Sequence, residues 1–436
     1  MNFDLKSAEF WDPEATRKEM IRVFNVCHGC RVCYTLCPSF VKLFEVTDDS
    51  AGVFGEVESL TDKQINDVVD LCYQCKICGP GPDPGPGPIC PYTPPHELDI
   101  DFPRTLIRYN FVRKQGKTTF ADKIFANTDL VGRFASHAAW LANWANRNPF
   151  LRRLMEKYLG IHRDRLLPAF HSQPFDKWFQ QHSRRAAPLS TASKARGEKV
   201  FLFCTCTVNY NEPDIGKAAV AVFEKNGIEC TAPEQQCCGL PFVDACMLDS
   251  FMKKVRSNVA MLSHGVRQGY KIVVPSASCS LMLKHDYPSY LPTDDTKLVS
   301  RNTYDLSEYL AKLHAEGKLD LDFSEKVGKV RYHQPCHLMV QKIGFKAVEL
   351  LKLIPGTEVN RLQCCSGHDG SWSVKKENFL ESMKVGKPLF KFMQRDDACA
   401  VTDCPLSAIQ IRQGAGKKAI HPILVLAKAY GLEVGR

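Results

Sequence analysis

Cysteine dominates the chemistry available to this sequence, which has 20 cysteines among its 436 residues. An early run has the spacing C-x-x-C-x-x-C-x-x-x-C with a proline directly after it: Cys27, Cys30, Cys33 and Cys37. A second run is followed later by a cysteine-proline pair: Cys72, Cys75, Cys78 and Cys90. This spacing is typical of bacterial-type ferredoxins, in which three close thiolates bind one 4Fe–4S cluster and the fourth cysteine binds the other cluster.

The two runs therefore predict two cubane 4Fe–4S clusters. The first cluster is predicted to bind Cys27, Cys30, Cys33 and Cys90, and the second Cys72, Cys75, Cys78 and Cys37. Zinc is the alternative, because C-x-x-C pairs also occur in zinc ribbons. Tetrahedral zinc explains two runs of three cysteines poorly, so we favour the clusters.

The ligand Cys90 is separated from Cys78 by eleven residues, 79–89, where the ferredoxin pattern has three. Most of them are glycine or proline, which excludes a helix or a central strand. A long surface loop adds little closure entropy, so Cys90 can still reach a cluster. It is the ligand that the insertion puts in question.

Two copies of one unit, 200–283 and 330–410, make up the second half. In each copy a strand leads to a cysteine, a second strand leads to adjacent cysteines, and a third strand leads to a last cysteine. The candidate ligands are Cys206, Cys237, Cys238 and Cys279 in copy one, and Cys336, Cys364, Cys365 and Cys404 in copy two. The other cysteines, Cys204, Cys230, Cys246 and Cys399, are predicted to be small buried apolar residues. Cys204 is close enough to Cys206 in the sequence to be a weaker alternative ligand.

Alternating strands and helices position these cysteines. The predicted strands are 200–206, 228–232 and 271–275 in copy one, and 330–336, 358–362 and 398–402 in copy two. This order predicts βαβαβ units with a parallel sheet. Ligand sites in such sheets lie outside the carboxyl ends of the strands. We therefore expect the distant cysteines of each copy to converge on one redox site.

Between the cysteine-rich halves lies a basic segment without cysteine. Residues 104–196 hold 18 Lys and Arg against 5 Asp and Glu, a balance of +13. Trp140 and Trp144 stand one helical turn apart, among apolar residues and arginines that include Arg152, Arg153 and Arg165. Such a helix suits a membrane interface, a partner surface, or a linker that packs on the cluster domains.

Composition and order together predict the fold class. The chain is 44% hydrophobic and 24% charged, which excludes disorder or coiled coil as the main state. We predict an α/β protein with an α-helical, two-cluster ferredoxin-like domain (1–103), a basic helical linker (104–198) and two cysteine-rich repeats (199–320 and 321–436). The charged first 26 residues and the lack of a spanning apolar run predict a cytoplasmic protein, soluble or peripheral to the membrane.

These features resemble the family of the C subunit of anaerobic glycerol-3-phosphate dehydrogenase. The resemblance includes Val208-Asn209-Tyr210-Asn211, Cys237-Cys238-Gly239, Tyr332-His333, Pro335-Cys336-His337 and Thr402-Asp403-Cys404. The repeats are also similar to the B subunit of heterodisulfide reductase and to iron–sulfur subunits of glycolate and lactate oxidising systems. The resemblance implies an electron-transfer subunit between a flavoprotein dehydrogenase and a quinone or another acceptor, on the cytoplasmic face of the membrane.

The repeats depart from the fullest family pattern, which ends in C-x-x-C. Copy one has Ser276 at the first of these positions, and copy two has Ser407 at the last. Four thiols in each copy still predict one or two further iron–sulfur clusters of unassigned type. The missing thiols weaken the alternative function, a thiol–disulfide reductase of the heterodisulfide type.

No flavin or dinucleotide fingerprint follows a strand, so the dehydrogenase site is expected on a partner chain, and no catalytic residue is assigned. The basic segment also raises the possibility of nucleic-acid binding, which we disfavour because no recognition motif accompanies the charge.

His333, His337 and His368 lie close to the cysteines of copy two. They are candidate hydrogen-bond donors or proton carriers there, or simply polar residues at strand ends.

Overall fold

The computed structural model describes residues 3–48, 56–81, 87–184, 195 and 197–434. All 20 cysteines lie in these ranges as free thiols. The described strands form two fully parallel sheets in the C-terminal half. This confirms the predicted α/β class with parallel sheets. Most of residues 186–198, at the end of the predicted basic linker, lie outside the described residues.

The N-terminal part is helical where it is described. It comprises α1 (Ala8–Trp11), α2 (Pro13–Cys30), α3 (Pro38–Thr47), a 3-10 helix (Val57–Ser59), α4 (Asp62–Asp70) and α5 (Phe102–Arg113). Proline at the first position starts both α2 and α3. At the end of α2, Arg31 adopts a left-handed conformation with φ of 56°, which turns the chain back toward Cys33. Phe24, Phe40 and Phe102 are buried in the core of this part.

The basic segment folds into short helices that lie against the repeats. They are α6 (Phe120–Ala126), α7 (Thr128–His137), α8 (Ala139–Arg147), α9 (Pro149–Leu159) and α10 (Phe175–Ser183). Arg165, only 2% exposed, donates to the carbonyl of Ser373 (3.0 Å) and to the side chains of Gln410 (2.6 Å) and Ser382 (2.7 Å). These contacts hold the segment on copy two.

Copy one contains a four-stranded sheet in the order β2-β1-β3-β4. Its elements are β1 (Lys199–Leu202), α11 (Cys206–Tyr210), α12 (Pro213–Lys225), β2 (Glu229–Thr231), α13 (Leu240–Asp244), α14 (Leu248–Arg267), β3 (Lys271–Val274), α15 (Ala277–Leu281), a π-helical turn (Met282–Asp286), α16 (Tyr287–Tyr290), α17 (Asp294–Arg301), β4 (Thr303–Asp305) and α18 (Leu306–Ala315).

Copy two contains a three-stranded sheet in the order β6-β5-β7. Its elements are β5 (Lys329–Gln334), α19 (Cys336–Val340), α20 (Lys346–Leu351), β6 (Glu358–Gln363), a 3-10 helix (Trp372–Val374), α21 (Phe379–Met393), β7 (Cys399–Thr402), α22 (Pro405–Ala415) and α23 (Pro422–Ala429). Residues of both copies share one buried core, in which Val200, Tyr332 and Val401 lie together with Leu426 of α23.

The six predicted strands are confirmed, with ends that differ by a few residues. The prediction lacked β4, a three-residue strand that adds to the edge of the copy-one sheet. In both sheets the first strand of the copy lies between the second and the third strand of that copy, so β1 and β3 are neighbours, as are β5 and β7. Such a point, where the strand order reverses, is where ligands bind in open α/β sheets.

The buried contacts of Arg165 predict a specific loss of stability. Arg165→Ala should lower the free energy of unfolding by about 3 kcal/mol, because Ser382 and Gln410 lose a charged donor while they stay buried. Arg163→Ala is the matched control. Its ion pair with Glu156 lies near the surface, where the Arg163 side chain is 53% exposed, so this substitution should lower the free energy of unfolding much less. Denaturant unfolding of both variants measures the difference, and equal losses would show that the segment is not held by Arg165.

Candidate functional site

Four cysteines of the N-terminal part surround one void of about 20 Å³: Cys27, Cys30, Cys33 and Cys90. The first two lie on the last turn of α2, and the third lies in the turn that follows. The rest of the wall is mainly apolar and includes Phe40 and Ile100. The structure thus brings together the four thiols predicted for the first cluster.

The insertion before Cys90 leaves and rejoins the domain at one place. A Cβ added to Gly87 would lie 2.3 Å from the carbonyl oxygen of Gly79, so the two ends of the insertion touch and glycine is needed at the contact. The N–H of Gly87 also donates to the hydroxyl of Thr93 at 2.5 Å. Residues 82–86 lie outside the described part. Because its ends meet, the insertion does not displace Cys90.

The second N-terminal group is only partly assembled as predicted. Cys37 lies directly before α3, close to the backbone N–H groups of Ser39 and Phe40. Cys72 and Cys78 lie close to it.

Cys75, the remaining member of this group, approaches the copy-two cysteines. Its side chain lies beside those of Cys365 and Cys336, and all three line one void. The second N-terminal group and the copy-two group are therefore in direct contact.

The four thiols of copy one converge at the strand ends. Cys206 follows β1, the adjacent pair Cys237 and Cys238 follows β2, and Cys279 lies in α15 after β3. The side chain of Cys237 lies beside those of Cys206 and Cys238, and the side chain of Cys238 lies beside that of Cys279. The positions predicted for copy one thus meet at one place.

The basic segment supports this copy-one group through Asp129 of α7. The Asp129 carboxylate accepts a hydrogen bond from the N–H of Cys237 at 2.9 Å and forms an ion pair with Lys254 at 2.8 Å. The carbonyl of Cys238 accepts a hydrogen bond from the hydroxyl of Tyr287 at 2.9 Å. Sequence reasoning missed Asp129, because its partner lies 108 residues away in the chain.

The copy-two group has a different membership. A second void of about 20 Å³ is lined by four thiols: Cys336, Cys365, Cys404 and the N-terminal Cys75. Tyr73 and His368 also line it. Cys364, a predicted ligand, does not line this void. It lies instead on a cleft of about 1060 Å³ between α3 and α21.

Backbone hydrogen bonds show how the two copies correspond. The N–H of Gly239 donates to the sulfur of Cys237 at 3.5 Å, and the N–H of Gly367 donates to the sulfur of Cys365 at 3.3 Å. Both glycines have positive φ, 91° and 76°. Cys237-Cys238-Gly239 therefore corresponds to Cys365-Ser366-Gly367. A comparison based on the adjacent cysteines would instead match it with Cys364-Cys365-Ser366, one residue earlier in the chain.

The shifted correspondence explains the serines of copy two. Ser407 donates to the hydroxyl of Ser366 at 3.0 Å, at the place where Cys238 and Cys279 interact in copy one. A pair of thiols in copy one is thus replaced by a pair of hydroxyls in copy two, and Cys364 has no counterpart among the copy-one thiols.

The three histidines have different surroundings. His333 bridges the hydroxyl of Thr402 (3.1 Å) and the carbonyl of Cys364 (3.0 Å), and burial lowers its pKa to about 4. His337 bridges the hydroxyl of Ser278 (2.9 Å) in copy one and the carbonyl of Gln74 (3.1 Å) in the N-terminal part.

His368 is held only through Nδ1, and its Nε2 is buried without a partner among the described residues. Burial lowers its pKa to about 3.

Burial and crowding govern the thiol acidities. Burial, followed by the nearby Cys90, Cys33 and Cys30, raises the pKa of Cys27 well above its ordinary value. Burial likewise raises the pKa of Cys72 to about 12. A bound cation reverses this balance and deprotonates a coordinating thiol.

Hydrogen bonding from neighbouring thiols outweighs burial at two cysteines. Bonds with Cys206 and Cys336 lower the pKa of Cys237 and Cys365, respectively, well below the usual value. The donor set of grouped thiols with mainly apolar walls fits iron–sulfur clusters. In the described ranges, no three His, Cys, Asp or Glu side chains are placed to hold a single metal ion.

Two family models match separate parts of the chain. The Fer4-like domain of citrate utilization protein B matches residues 20–118. The cysteine-rich domain matches twice, at residues 200–284 and 330–412. The two matches of the second model coincide with the two copies.

The C subunit of the anaerobic glycerol-3-phosphate dehydrogenase of Escherichia coli is 30% identical over 416 residues, which cover 93% of this chain and 98% of the relative. The chain belongs to the family of this protein. The B subunit of the fumarate reductase (CoM/CoB) of Methanothermobacter marburgensis is 31% identical over 238 residues, covering 53% of this chain and 45% of the relative. Lactate utilization protein A of Bacillus pumilus is 31% identical over 196 residues, 42% of this chain and 79% of the relative.

Membership of this family confirms the resemblance predicted from the sequence, including the similarity of the repeats to reductase subunits. The same comparisons confirm the prediction of an iron–sulfur electron-transfer subunit of an oxidoreductase. The number and type of clusters, and the ligation by each cysteine, stay predictions.

The position of Cys90 predicts the composition of the first cluster. Cys90→Ser should remove about four iron atoms per chain, the content of one cubane, because the other three thiols leave one corner unbound. Cys399→Ser is the control, since Cys399 packs against the apolar core and should leave the iron content unchanged. Iron and sulfide analysis with EPR of the anaerobically purified full chain measures both. Full cluster content in Cys90→Ser would exclude this cysteine as a ligand.

Proposed function

We propose that this protein accepts electrons from a flavoprotein dehydrogenase chain and passes them to a quinone or another acceptor. The observation that supports this best is the contact of Cys75 with Cys365, which joins an N-terminal cysteine group to a repeat cysteine group. The names of the relatives agree, since they describe subunits of a glycerol-3-phosphate dehydrogenase and a fumarate reductase.

The cofactors of this proposal are iron–sulfur clusters at the four cysteine groups. Two cubane clusters belong to the N-terminal groups, the first with Cys27, Cys30, Cys33 and Cys90, and the second with Cys37, Cys72, Cys78 and Cys75, the thiol that also lines the void of copy two. One cluster of unassigned type belongs to each copy. When bound, such clusters supply one-electron transfer, and the chain supplies thiolates, hydrogen bonds to sulfur and burial.

Polar contacts between the modules keep the cysteine groups in a fixed arrangement. Lys76, from the second cysteine run, forms a buried ion pair with Asp286 of copy one at 2.5 Å. The indole N–H of Trp372 in copy two donates to the carbonyl of Asp70 at the end of α4 at 2.7 Å. Because both contacts are largely buried, they oppose separation of the modules and support a rigid electron path.

The cleft beside copy two is the place that best suits the acceptor. Its volume of about 1060 Å³ is just above the usual range of small-molecule sites, roughly 300–1,000 Å³. Cys37, Cys364 and Cys365 line the cleft together with apolar residues such as Val41 and Leu380. An apolar planar acceptor, such as a quinone ring, would there lie beside two cysteine groups.

The basic segment is proposed to hold the protein at an anionic membrane surface. Its consecutive helices α6 to α9 carry six aromatic side chains that are more than half exposed: Phe120, Phe134, Trp140, Trp144, Phe150 and Tyr158. Among the described residues, no helix has both the length and the apolar character needed to cross a bilayer. Exposed aromatic and basic side chains together suit the interface of an anionic bilayer.

Two of the arginines assigned to this surface from the sequence lie inside the protein. Arg152, 4% exposed, donates to the carbonyls of Arg163 (3.0 Å) and Arg165 (2.7 Å), and Arg165 is buried against copy two. Neither guanidinium can contact lipid. Arg147 and Arg153 are exposed and are the arginines proposed to attract anionic headgroups.

Removing the copy-two centre should interrupt electron transfer. Cys365→Ser should lose iron and slow the oxidation of the dithionite-reduced protein by a water-soluble quinone, because the electron path loses one centre. Cys399→Ser is again the matched control. Stopped-flow absorbance measures both rates. Equal rates and equal iron content would contradict an electron-transfer role for copy two.

Vesicle sedimentation tests the membrane surface. The protein should bind anionic vesicles at low salt and dissociate at high salt, because lipid charge is screened. Trp140→Ala should weaken binding by about tenfold, from the apolar area of one exposed indole. Leu321→Ala, which removes an exposed apolar side chain outside the segment and outside the cleft, is the control and should bind like the unaltered chain. No binding at low salt would leave the segment as a linker.

A further inference from the structure

The copy-two group contains an imidazole that copy one lacks. Since Gly367 corresponds to Gly239, His368 occupies the position of Leu240 in copy one. His368 lines the same void as the thiols of Cys365 and Cys336. One copy therefore presents an apolar side chain at this position, and the other presents a polar one.

Geometry fixes the proton of this imidazole. The backbone N–H of Gly370, which can only donate, lies 3.2 Å from Nδ1 of His368, so Nδ1 is the acceptor and Nε2 carries the hydrogen. The hydroxyl of Ser373 also bonds to Nδ1, at 3.0 Å. Nε2–H is thus a donor. It is buried, with no partner among the described residues.

Sulfur is an acceptor that lines the same void as this donor. The carboxylate of Asp369, which also lines the void, already accepts the N–H groups of Trp372 (3.0 Å) and Ser373 (2.9 Å). The rest of the wall includes thiols of copy two. A buried donor without an acceptor is rare in native proteins, so its presence indicates that an acceptor occupies the void in the working protein.

We propose that Nε2–H of His368 donates a hydrogen bond to a sulfur atom of the copy-two iron–sulfur centre and sets its reduction potential above that of copy one. The inference rests on the proposed function, which places a cluster in each copy. A hydrogen bond to sulfur stabilises the more negative, reduced state of such a centre. Leu240 offers no donor at the corresponding position of copy one.

Potentiometric titration of the full-length protein, followed by EPR, tests the proposal. The copy-two signal is assigned by its loss in Cys365→Ser. His368→Leu, which copies the copy-one residue, should shift this centre to lower potential and leave the others unchanged. His368→Gln keeps an N–H donor and should shift it less. His264→Leu, at an exposed position on α14, should shift nothing. An unchanged copy-two potential in His368→Leu would overturn the proposal.

Pulsed EPR gives a second test. Protein labelled with nitrogen-15 histidine should show a weak nitrogen coupling to the copy-two centre, as expected for a hydrogen bond. Loss of this coupling in His368→Leu assigns it to His368 and not to His337, which also lines the void. A strong coupling would identify His368 as an iron ligand, and no coupling would place it outside the centre. Either result would overturn the donor assignment.

The same measurements separate this inference from the proposed function. A copy two without iron and without an EPR signal in the unaltered chain would contradict the proposed function itself. An assembled copy-two centre whose reduction potential does not change in His368→Leu would contradict only the inference.

Discussion

Several thiols share each buried space, and their ionisation would place several negative charges close together there. This repulsion is the constraint on which the rest of the structure depends. Burial and neighbouring thiols raise the pKa of Cys27 and Cys78 far above that of a free cysteine. Only positive charge supplied from outside the chain makes such a group stable as thiolates. The helices and sheets hold the groups in place, but metal must supply the balancing charge.

The sequence predicted the parts that repeat a local pattern. Cysteine spacing placed Cys90 with Cys27 despite the insertion, and alternating strands and helices gave six of the seven described strands. The strand β4 was missed because three residues carry too little periodicity to be recognised. The correspondence of the copies was also missed, because the adjacent cysteines dominate the pattern, whereas the N–H of Gly367 bonding to sulfur decides it.

Other features could not be predicted because their partners are distant in the chain. Arg152 and Arg165 look like surface charges in the sequence. Both are buried in the structure and donate hydrogen bonds to carbonyl and amide oxygens. Asp129, in a segment without cysteine, holds the backbone of Cys237. His337 contacts both copy one and the N-terminal part. The cysteine groups therefore depend on residues from every part of the chain.

The contact between Gly79 and Gly87 has a consequence for how this protein can change. Because the insertion starts and ends at the same point, its length is independent of the position of Cys90. Doubling such a loop costs only about 0.6 kcal/mol of closure entropy. Relatives could gain or lose residues here, or acquire a peptide that binds another protein, and still assemble the same metal centre. The length of the insertion can therefore vary while the positions of the four cysteines beside it stay the same.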